Sequence, residues 1–353
     1  MIIQTIIALV LFACIIIGAA IGASRTPVQI PMPKNGSLVN RLQSVGITDM
    51  PGIAATGTLA TQVHRSSLPV LADHMPPFVG ITKWWNTPDG TPLTPEKLKG
   101  KVVLIDFWTY SCINCIRTYP FIKSMHEKYA EKGLVIVGVH TPEFAFEAKQ
   151  TNVEAEIVKN GFKHPIALDP DYATWNAYEN RYLPAEYFFD RMGRLRHTHV
   201  GEGNYAESEN VIRELLAEAS GVALGTIEDG IITPDFSKIK TPETYFGRTR
   251  GDAKLGGWTT SGEWRFESEY AEAKSTGARF RMSVHAMKMH LVLESADGKD
   301  TQLEIFVDGV KTRDLIVNRS TLYDIAEFLD AARHVVEIRM KDAGVRFYAA
   351  TFS

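Results

Sequence analysis

The sequence predicts an α/β domain with a parallel sheet, followed by an all-β sandwich domain, with one apolar helix ahead of both. The apolar runs VVLIDF at 102–107 and LVIVGV at 134–139 flank a helical stretch, which is the pattern of a parallel βαβ unit. After Gly221 the runs become short and alternate apolar with polar residues, with turns at Asp-Gly pairs, as in antiparallel sheets. The predicted segments are an anchor or signal segment (1–24), a linker (25–73), the α/β domain (74–220), a second linker (221–243) and the sandwich (244–353).

Composition excludes several classes of protein. The 353 residues are enough for two domains, and 45% hydrophobic with 22% charged residues is a globular balance. A formal net charge of -3 gives no basic surface for nucleic acid, so we expect no nucleic-acid partner. Three cysteines are too few for a scaffold held by several disulfides.

The amino terminus carries a membrane signal. Residues 1–24 contain no charged side chain, and residues 6–23 are apolar throughout. As a helix this run is about 27 Å long, close to the thickness of a bilayer's hydrocarbon core. We expect a membrane anchor or a cleaved signal segment, with Cys14 as a small residue inside it rather than a lipid-bearing cysteine.

Two cysteines stand where a strand gives way to a helix. The stretch FWTYSCINC places Cys112 and Cys115 at the first turn of that helix, where unpaired N–H groups and the helix dipole favour a thiolate. Two intervening residues let both sulfurs close a disulfide within one turn. We therefore predict thiol–disulfide exchange, with Cys112 as the exposed attacking thiolate and Cys115 as the shielded resolving thiol.

Three other uses of a CxxC pair are less favoured here. A structural disulfide is the first, but a CxxC between a strand and a helix of a βαβ unit is the redox context. Zinc needs four ligands, and no second CxxC or His pair accompanies the motif. Covalent haem requires His directly after the second cysteine, where Ile116 stands. We expect no metal and no cofactor, so that electrons pass through thiols alone.

The motif and its surroundings resemble a known family. IDFW at 105–108 followed by CxxC, Pro120 five residues after the second cysteine, and Leu183 with Pro184 before the EYFFD strand resemble thioredoxin. The stretches DFWTYSCINCIRTYP, GVHTPEFAFE, DYATWNAYENRYLP and GEGNY, and a sandwich beginning near TPETYFG, are similar to TlpA-like, DipZ-type extracytoplasmic proteins. The resemblance covers about residues 74–353.

The sequence departs from that family in two ways. Family members carry a multi-span electron-conducting module in front, whereas this chain has at most one span. The resemblance therefore implies a membrane-bound thiol electron donor that acts in trans. Ser111 also replaces the tryptophan that thioredoxins have just before the first cysteine. The implied location is extracytoplasmic, in the periplasm or on the outer face of the cytoplasmic membrane.

The resemblance also implies roles for individual residues. A cis Pro184 would hold the backbone of Leu183 opposite Cys112, where an extended substrate segment could pair with it. Asp106 would be a buried carboxylate that moves the proton of the resolving cysteine. Trp108 would pack beside the disulfide and contact substrate. His140 and Glu143 follow the next strand and remain unassigned.

The implied function is the reduction of protein disulfides, in cytochrome maturation or redox repair. A thiol peroxidase of the peroxiredoxin type is the nearest alternative. Its Pro-x-x-x-Thr-x-x-Cys pattern fits Thr109 and Cys112, but Ile105 occupies the proline position.

A non-catalytic alternative rests on the second domain. The C-terminal region resembles galactose-binding-like or carbohydrate-binding jelly-roll sandwiches. Trp258, Trp264 and Tyr245 could stack on a sugar. In that case the domain would bind glycan or cell-wall material, and the α/β domain would be a scaffold.

Overall fold

A computed structural model describes residues 66–222, 235–250 and 257–353. The predicted anchor or signal segment at 1–24 and most of the predicted linker at 25–73 lie outside the described residues. Among the residues that are described, none of the helices combines the length and the apolar character that a bilayer crossing requires.

The first domain is built on a six-stranded sheet with the order β1-β4-β3-β2-β5-β6. Its strands are β1 (Lys83–Trp85), β2 (Val102–Trp108), β3 (Leu134–His140), β4 (Ile166–Leu168), β5 (Ala185–Phe189) and β6 (Leu195–Val200). Strands β2, β3 and β4 run parallel, while β1, β5 and β6 are antiparallel to their neighbours. The predicted parallel βαβ unit is confirmed.

Helices cover both faces of this sheet. They are α1 (Pro95–Leu98), α2 (Ile113–Tyr129), α3 (Gln150–Asn160), α4 (Ala173–Ala177) and α5 (Tyr205–Ser220), with 3₁₀ turns at Pro88–Gly90, Ala130–Lys132 and Ala145–Ala148. Leu104 packs with α2 and α5 on one face, and its neighbours Val103 and Ile105 pack on the other face. Because successive strand residues point to opposite covered faces, β2 is buried along its whole length.

Contacts with the α/β domain extend upstream of residue 74, its predicted start. The Leu71 N–H donates to the Leu195 carbonyl at 2.8 Å, and Ala72 forms an isolated bridge to the same residue. The Ser66 hydroxyl donates to Glu214 of α5 at 2.8 Å. These contacts attach residues 66–72 to the α/β domain.

The second domain consists of two antiparallel sheets, so the prediction of an all-β domain is confirmed. Their orders are β15-β12-β17-β10-β9, with β7 also pairing β17, and β14-β13-β16-β11-β8. The strands are β7 (Thr244–Tyr245), β8 (Trp258–Ser261), β9 (Trp264–Phe266), β10 (Ala271–Ala273), β11 (Arg279–His285), β12 (Lys288–Ser295), β13 (Thr301–Val307), β14 (Val310–Val317), β15 (Thr321–Glu327), β16 (Arg333–Met340) and β17 (Val345–Phe352). Residues of both sheets, such as Leu291, Phe347, Ile305 and Ile338, share one apolar core.

The outer face of the β15-β12-β17 sheet packs on the α/β domain. Leu322, Val292 and Ala349 lie in register across these three strands. They belong to the apolar cluster that contains Cys112 and Cys115, whereas the core of the sandwich lies on the other side of the sheet. The second domain therefore covers the end of β2 where the CxxC motif lies.

Candidate active site

The two cysteines lie at the junction of β2 and α2. Cys112 is the N-cap residue of α2, and its carbonyl accepts the Ile116 N–H at 3.0 Å. Both are free cysteines in the structure. Cys115 is 0% exposed and Cys112 is 8% exposed. The expectation of an exposed Cys112 is therefore wrong, because its apolar cluster includes residues of the sandwich; Cys112 is nevertheless the more exposed residue of the two.

Cys115 is held in its protonated form. Burial raises the pKa of the Cys115 thiol well above its ordinary value, and the hydrogen bond and charge of Cys112 and the charge of Asp106 add to this. The Thr109 N–H acts in the opposite direction. A thiol in such surroundings loses its proton only when a nearby base takes it.

A carboxylate suited to that task lies beneath the helix. Asp106 of β2 is 4% exposed, and its Oδ1 has no hydrogen-bond partner. Burial raises the pKa of Asp106 to about 7. Because its charge also raises the pKa of Cys115, the two groups are close enough to interact.

Leu183 and Trp108 both lie near the cysteines, at different depths. The Leu183–Pro184 peptide bond is cis, and partly buried Leu183 packs against the cluster that contains Cys112. Trp108 is buried and packs edge-on against the rings of Tyr119, His140 and Phe162. This burial leaves no surface for the predicted contact of Trp108 with substrate, so its role is packing.

His140 belongs to this site, although the sequence analysis left it unassigned. It is buried at the carboxyl end of β3, stacks on Tyr110 at 5.6 Å, and has Nε2 3.3 Å from the Thr109 hydroxyl. Burial lowers the pKa of His140 to about 3, so the ring is neutral. Its position at the end of a parallel strand next to β2 was the signal that could have assigned it.

Glu147 is a second site residue that the sequence analysis missed. Its carboxylate accepts the Ser111 hydroxyl at 2.6 Å and N–H groups of Ser111, Glu143 and Phe144. Burial raises the pKa of Glu147 to about 7. The bond to Ser111 anchors the residue directly before Cys112 from the inside of the domain.

The sandwich contributes polar contacts around the motif. Arg250 and the Tyr245 hydroxyl both donate to Glu143 Oε1, at 2.6 and 2.7 Å. Tyr348 of β17 packs its ring on Phe144 and Phe146, with ring centroids 5.0 and 4.8 Å apart. Loops that follow β3 are therefore fixed against the second domain.

The predicted sugar-stacking aromatics are engaged in packing. Trp258 lies on Phe280 with ring centroids 6.0 Å apart, and Trp264 contacts Phe347 at 5.3 Å. Tyr245 is bound to Glu143 between the domains. All three side chains are partly buried, so the stacking role predicted for them stays a prediction. Within the described ranges, no group of three or more His, Cys, Asp or Glu side chains is arranged to hold a metal ion.

Two families match adjoining parts of the chain. Redoxin matches residues 72–216, and the family described as the thioredoxin-like C-terminal domain matches residues 239–353. Protein DipZ of Mycobacterium tuberculosis is 35% identical over 300 residues, which are 78% of this chain and 42% of DipZ. The chain thus spans less than half the length of that relative.

A shorter relative is covered almost completely. Thiol-disulfide oxidoreductase YkuV of Bacillus subtilis is 33% identical over 149 residues, which are 42% of this chain and 97% of YkuV. A solved thioredoxin-like protein in its oxidized form is 33% identical, with a TM-score of 0.39 over 42% of this chain and 97% of that one. Because YkuV is 33% identical and is covered over 97% of its length, the chain belongs to the family of thioredoxin-like thiol-disulfide oxidoreductases.

Proposed function

We propose that this protein reduces disulfides in protein substrates through Cys112 and Cys115. The observation that carries the proposal is the asymmetry of the pair. Cys112 retains 8% exposure at the start of α2, while Cys115 is fully buried next to the carboxylate of Asp106. In this proposal the partially exposed Cys112 is the residue that meets a partner, and Cys115 has a base that can take its proton.

The proposed reaction has two steps. In the first, the Cys112 thiolate attacks one sulfur of the partner disulfide; a mixed disulfide forms, and the second partner sulfur leaves as a thiolate. In the second, Cys115 gives its proton to Asp106 and attacks Cys112 Sγ. The Cys112–Cys115 disulfide forms, the mixed disulfide breaks, and two electrons have passed to the partner.

Leu183 is proposed to position the partner. Its partial burial against the cysteine cluster supports a role in which its backbone, ahead of Pro184, pairs with an extended segment of substrate. Protein segments with accessible, extended disulfides are the substrates that such a surface accepts.

We also propose an extracytoplasmic location, with reduction serving cytochrome maturation or redox repair. The uncharged segment 1–24 and the similarity to DipZ support this location. The pair must be reduced again after each turnover, and we propose a membrane-bound thiol donor acting in trans. The second domain is proposed to be a jelly roll of the galactose-binding-like type.

The two alternative functions gain no support from the site. Ile105 lies in the middle of β2, at the position where the peroxidase pattern requires proline. The aromatic residues considered for sugar binding pack against other side chains. Disulfide exchange therefore remains the preferred function.

Reduction of insulin disulfides tests the proposal. Replacing Cys112 by Ser removes the attacking sulfur, and we expect the rate to fall to that of the buffer with reductant alone. Cys14→Ser is the matched control, because it removes the remaining cysteine outside the motif, and it should retain the wild-type rate. Equal rates for wild type and Cys112→Ser would refute the function, as would hydrogen peroxide consumption much faster than insulin reduction.

A further inference from the structure

A second buried carboxyl group lies next to Asp106. Glu186 of β5 is the direct antiparallel partner of Asp106 in β2, which brings their Cβ atoms to about 4.5–5.5 Å. Both side chains face the helices, since Glu186 accepts the hydroxyl of Ser208 in α5 at 2.9 Å and Asp106 interacts with Cys115 of α2. Asp106 is only 4% exposed and Glu186 only 2% exposed.

Two carboxyl groups in this position cannot both be ionised at low cost. Two neighbouring carboxylates away from water repel each other, so the pair retains a proton that a single exposed carboxyl would lose. Burial raises the pKa of Glu186 to about 8, and the charge of Asp106 contributes to this rise. Asp106 Oδ1 has no hydrogen-bond partner, so it is free to bind a proton.

We propose that Glu186 is a positioning residue that shares protons with Asp106, and that the pair together accepts the proton of Cys115. This inference rests on the proposed disulfide exchange. Glu186 holds the first proton, which leaves Asp106 ionised without a second negative charge beside it. When Cys115 attacks Cys112 Sγ, its S–H bond breaks and Asp106 takes the second proton; the pair later returns this proton to water.

Several titratable or polar groups face the pair. They are Cys115 and Tyr119 from α2, Tyr205 and Ser208 from α5, His199 from β6, and the Arg117–Glu202 ion pair beside Tyr205; Cys112, the N-cap of α2, in turn interacts with Cys115. His199 is the direct partner of Glu186, and its Nε2 is buried without a hydrogen-bond partner. Burial lowers the pKa of His199, so this ring stays neutral while the carboxyls titrate.

A carboxyl ¹³C NMR titration of the oxidised protein tests the sharing directly, because in that state neither sulfur of the pair carries a proton. In the wild type we expect the Asp106 carboxyl signal to follow two steps. In Glu186→Gln it should follow a single step at lower pH, since the second charge is absent. Glu186→Asp should restore two steps, which a purely structural role would not produce.

Glu209→Gln is the matched control, because Glu209 is buried on α5 but binds Tyr129 and Lys128 instead. It should leave both steps unchanged. The pH profile of the second reaction step should change shape in Glu186→Gln and not in the control. An Asp106 signal with one step at the same midpoint in wild type and Glu186→Gln would overturn the inference. Because the titration requires no turnover, this failure is distinguishable from failure of the proposed function.

Discussion

The hydroxyl of Tyr110 donates a hydrogen bond across the domain boundary to the carbonyl of Ser320, at 3.0 Å. Tyr110 lies just before the CxxC motif, and Ser320 directly precedes β15. Just after the motif, Arg117 Nη1 donates to the carbonyl of Phe352 at 3.3 Å. The second domain therefore contacts the chain both before and after the CxxC motif, which accounts for the low exposure of Cys112.

Loosening one of these contacts should make the first cysteine more accessible. In Tyr110→Phe the Ser320 carbonyl loses its donor, and we expect a loss of about 0.5–1.5 kcal/mol in the free energy of unfolding. The alkylation rate of Cys112 should rise at the same time. Tyr323→Phe removes hydrogen bonds that stay within the sandwich, so it should cost stability without changing alkylation. Equal alkylation rates in both variants would show that the domain contact does not limit access.

The second reaction step predicts a covalent trap. Cys115→Ser leaves the attacking sulfur in place but removes the thiol that releases the partner. We expect disulfide-linked adducts of this variant to accumulate in cells and to disappear on treatment with reductant. Non-reducing electrophoresis measures them, with the Cys112→Ser, Cys115→Ser double variant as the control. Equal amounts of adduct in the single and double variants would contradict the two-step mechanism.

The sequence predicted the local elements of the redox domain well. The run VVLIDF at 102–107 predicted a strand buried on both faces, because a central parallel strand is apolar at nearly every position, and the structure has this strand at Val102–Trp108. The CxxC follows it directly, so the placement of both cysteines needed no tertiary information. Asp106 was assigned through the resemblance to thioredoxin, and its apolar neighbours Ile105 and Phe107 favoured a buried carboxyl over a solvated one.

The contact between the domains could not be predicted in the same way. Val292 and Ala349 are apolar residues in strands whose neighbouring residues fill the sandwich core, and nothing local tells the two faces apart. Glu147 posed a different problem. It lies in the 3₁₀ turn Ala145–Ala148, and no sequence pattern shows that four hydrogen-bond donors converge on its carboxylate once this segment has folded.

An ion pair between the domains should stabilise the fold measurably. Arg250 and Glu143 are both largely buried, so Arg250→Gln leaves a carboxylate without its cation. We expect a loss of about 3 kcal/mol in the free energy of unfolding, measured with urea. Lys299→Gln breaks an exposed pair with Asp297 and should change the free energy by less than about 0.5 kcal/mol. Similar losses in both variants would mean that the Arg250–Glu143 contact contributes no more than a surface pair.

The buried carboxyls predict how stability depends on pH. The pKa values of Asp106, Glu147 and Glu186 rise in the folded protein from 3.8, 4.5 and 4.5 to about 7, 7 and 8, with burial as the largest cause of each. Between the unfolded and the folded pKa of each group, that carboxyl binds more protons in the folded state than in the unfolded state. The contribution of these three carboxyls to the free energy of unfolding should therefore fall as the pH rises from about 4 to about 8, by about 1.4 kcal/mol for each pKa unit of difference. The buried His140 acts in the opposite direction, because its pKa is lowered from 6.5 to about 3 and the unfolded state binds its proton more tightly.

The part of this pH dependence that belongs to Glu186 can be isolated. Glu186→Gln keeps the shape of the side chain and can still accept the Ser208 hydrogen bond, but it cannot ionise. We measure the free energy of unfolding with urea at pH 5 and at pH 8. Its value at pH 5 minus its value at pH 8 should be smaller in this variant than in the wild type, because one proton-binding group has been removed. Glu218→Gln, at a partly exposed position on α5, should keep the wild-type difference. An equal difference between pH 5 and pH 8 in the wild type and in Glu186→Gln would contradict the prediction, since it would mean that Glu186 binds no more protons in the folded protein than in the unfolded chain.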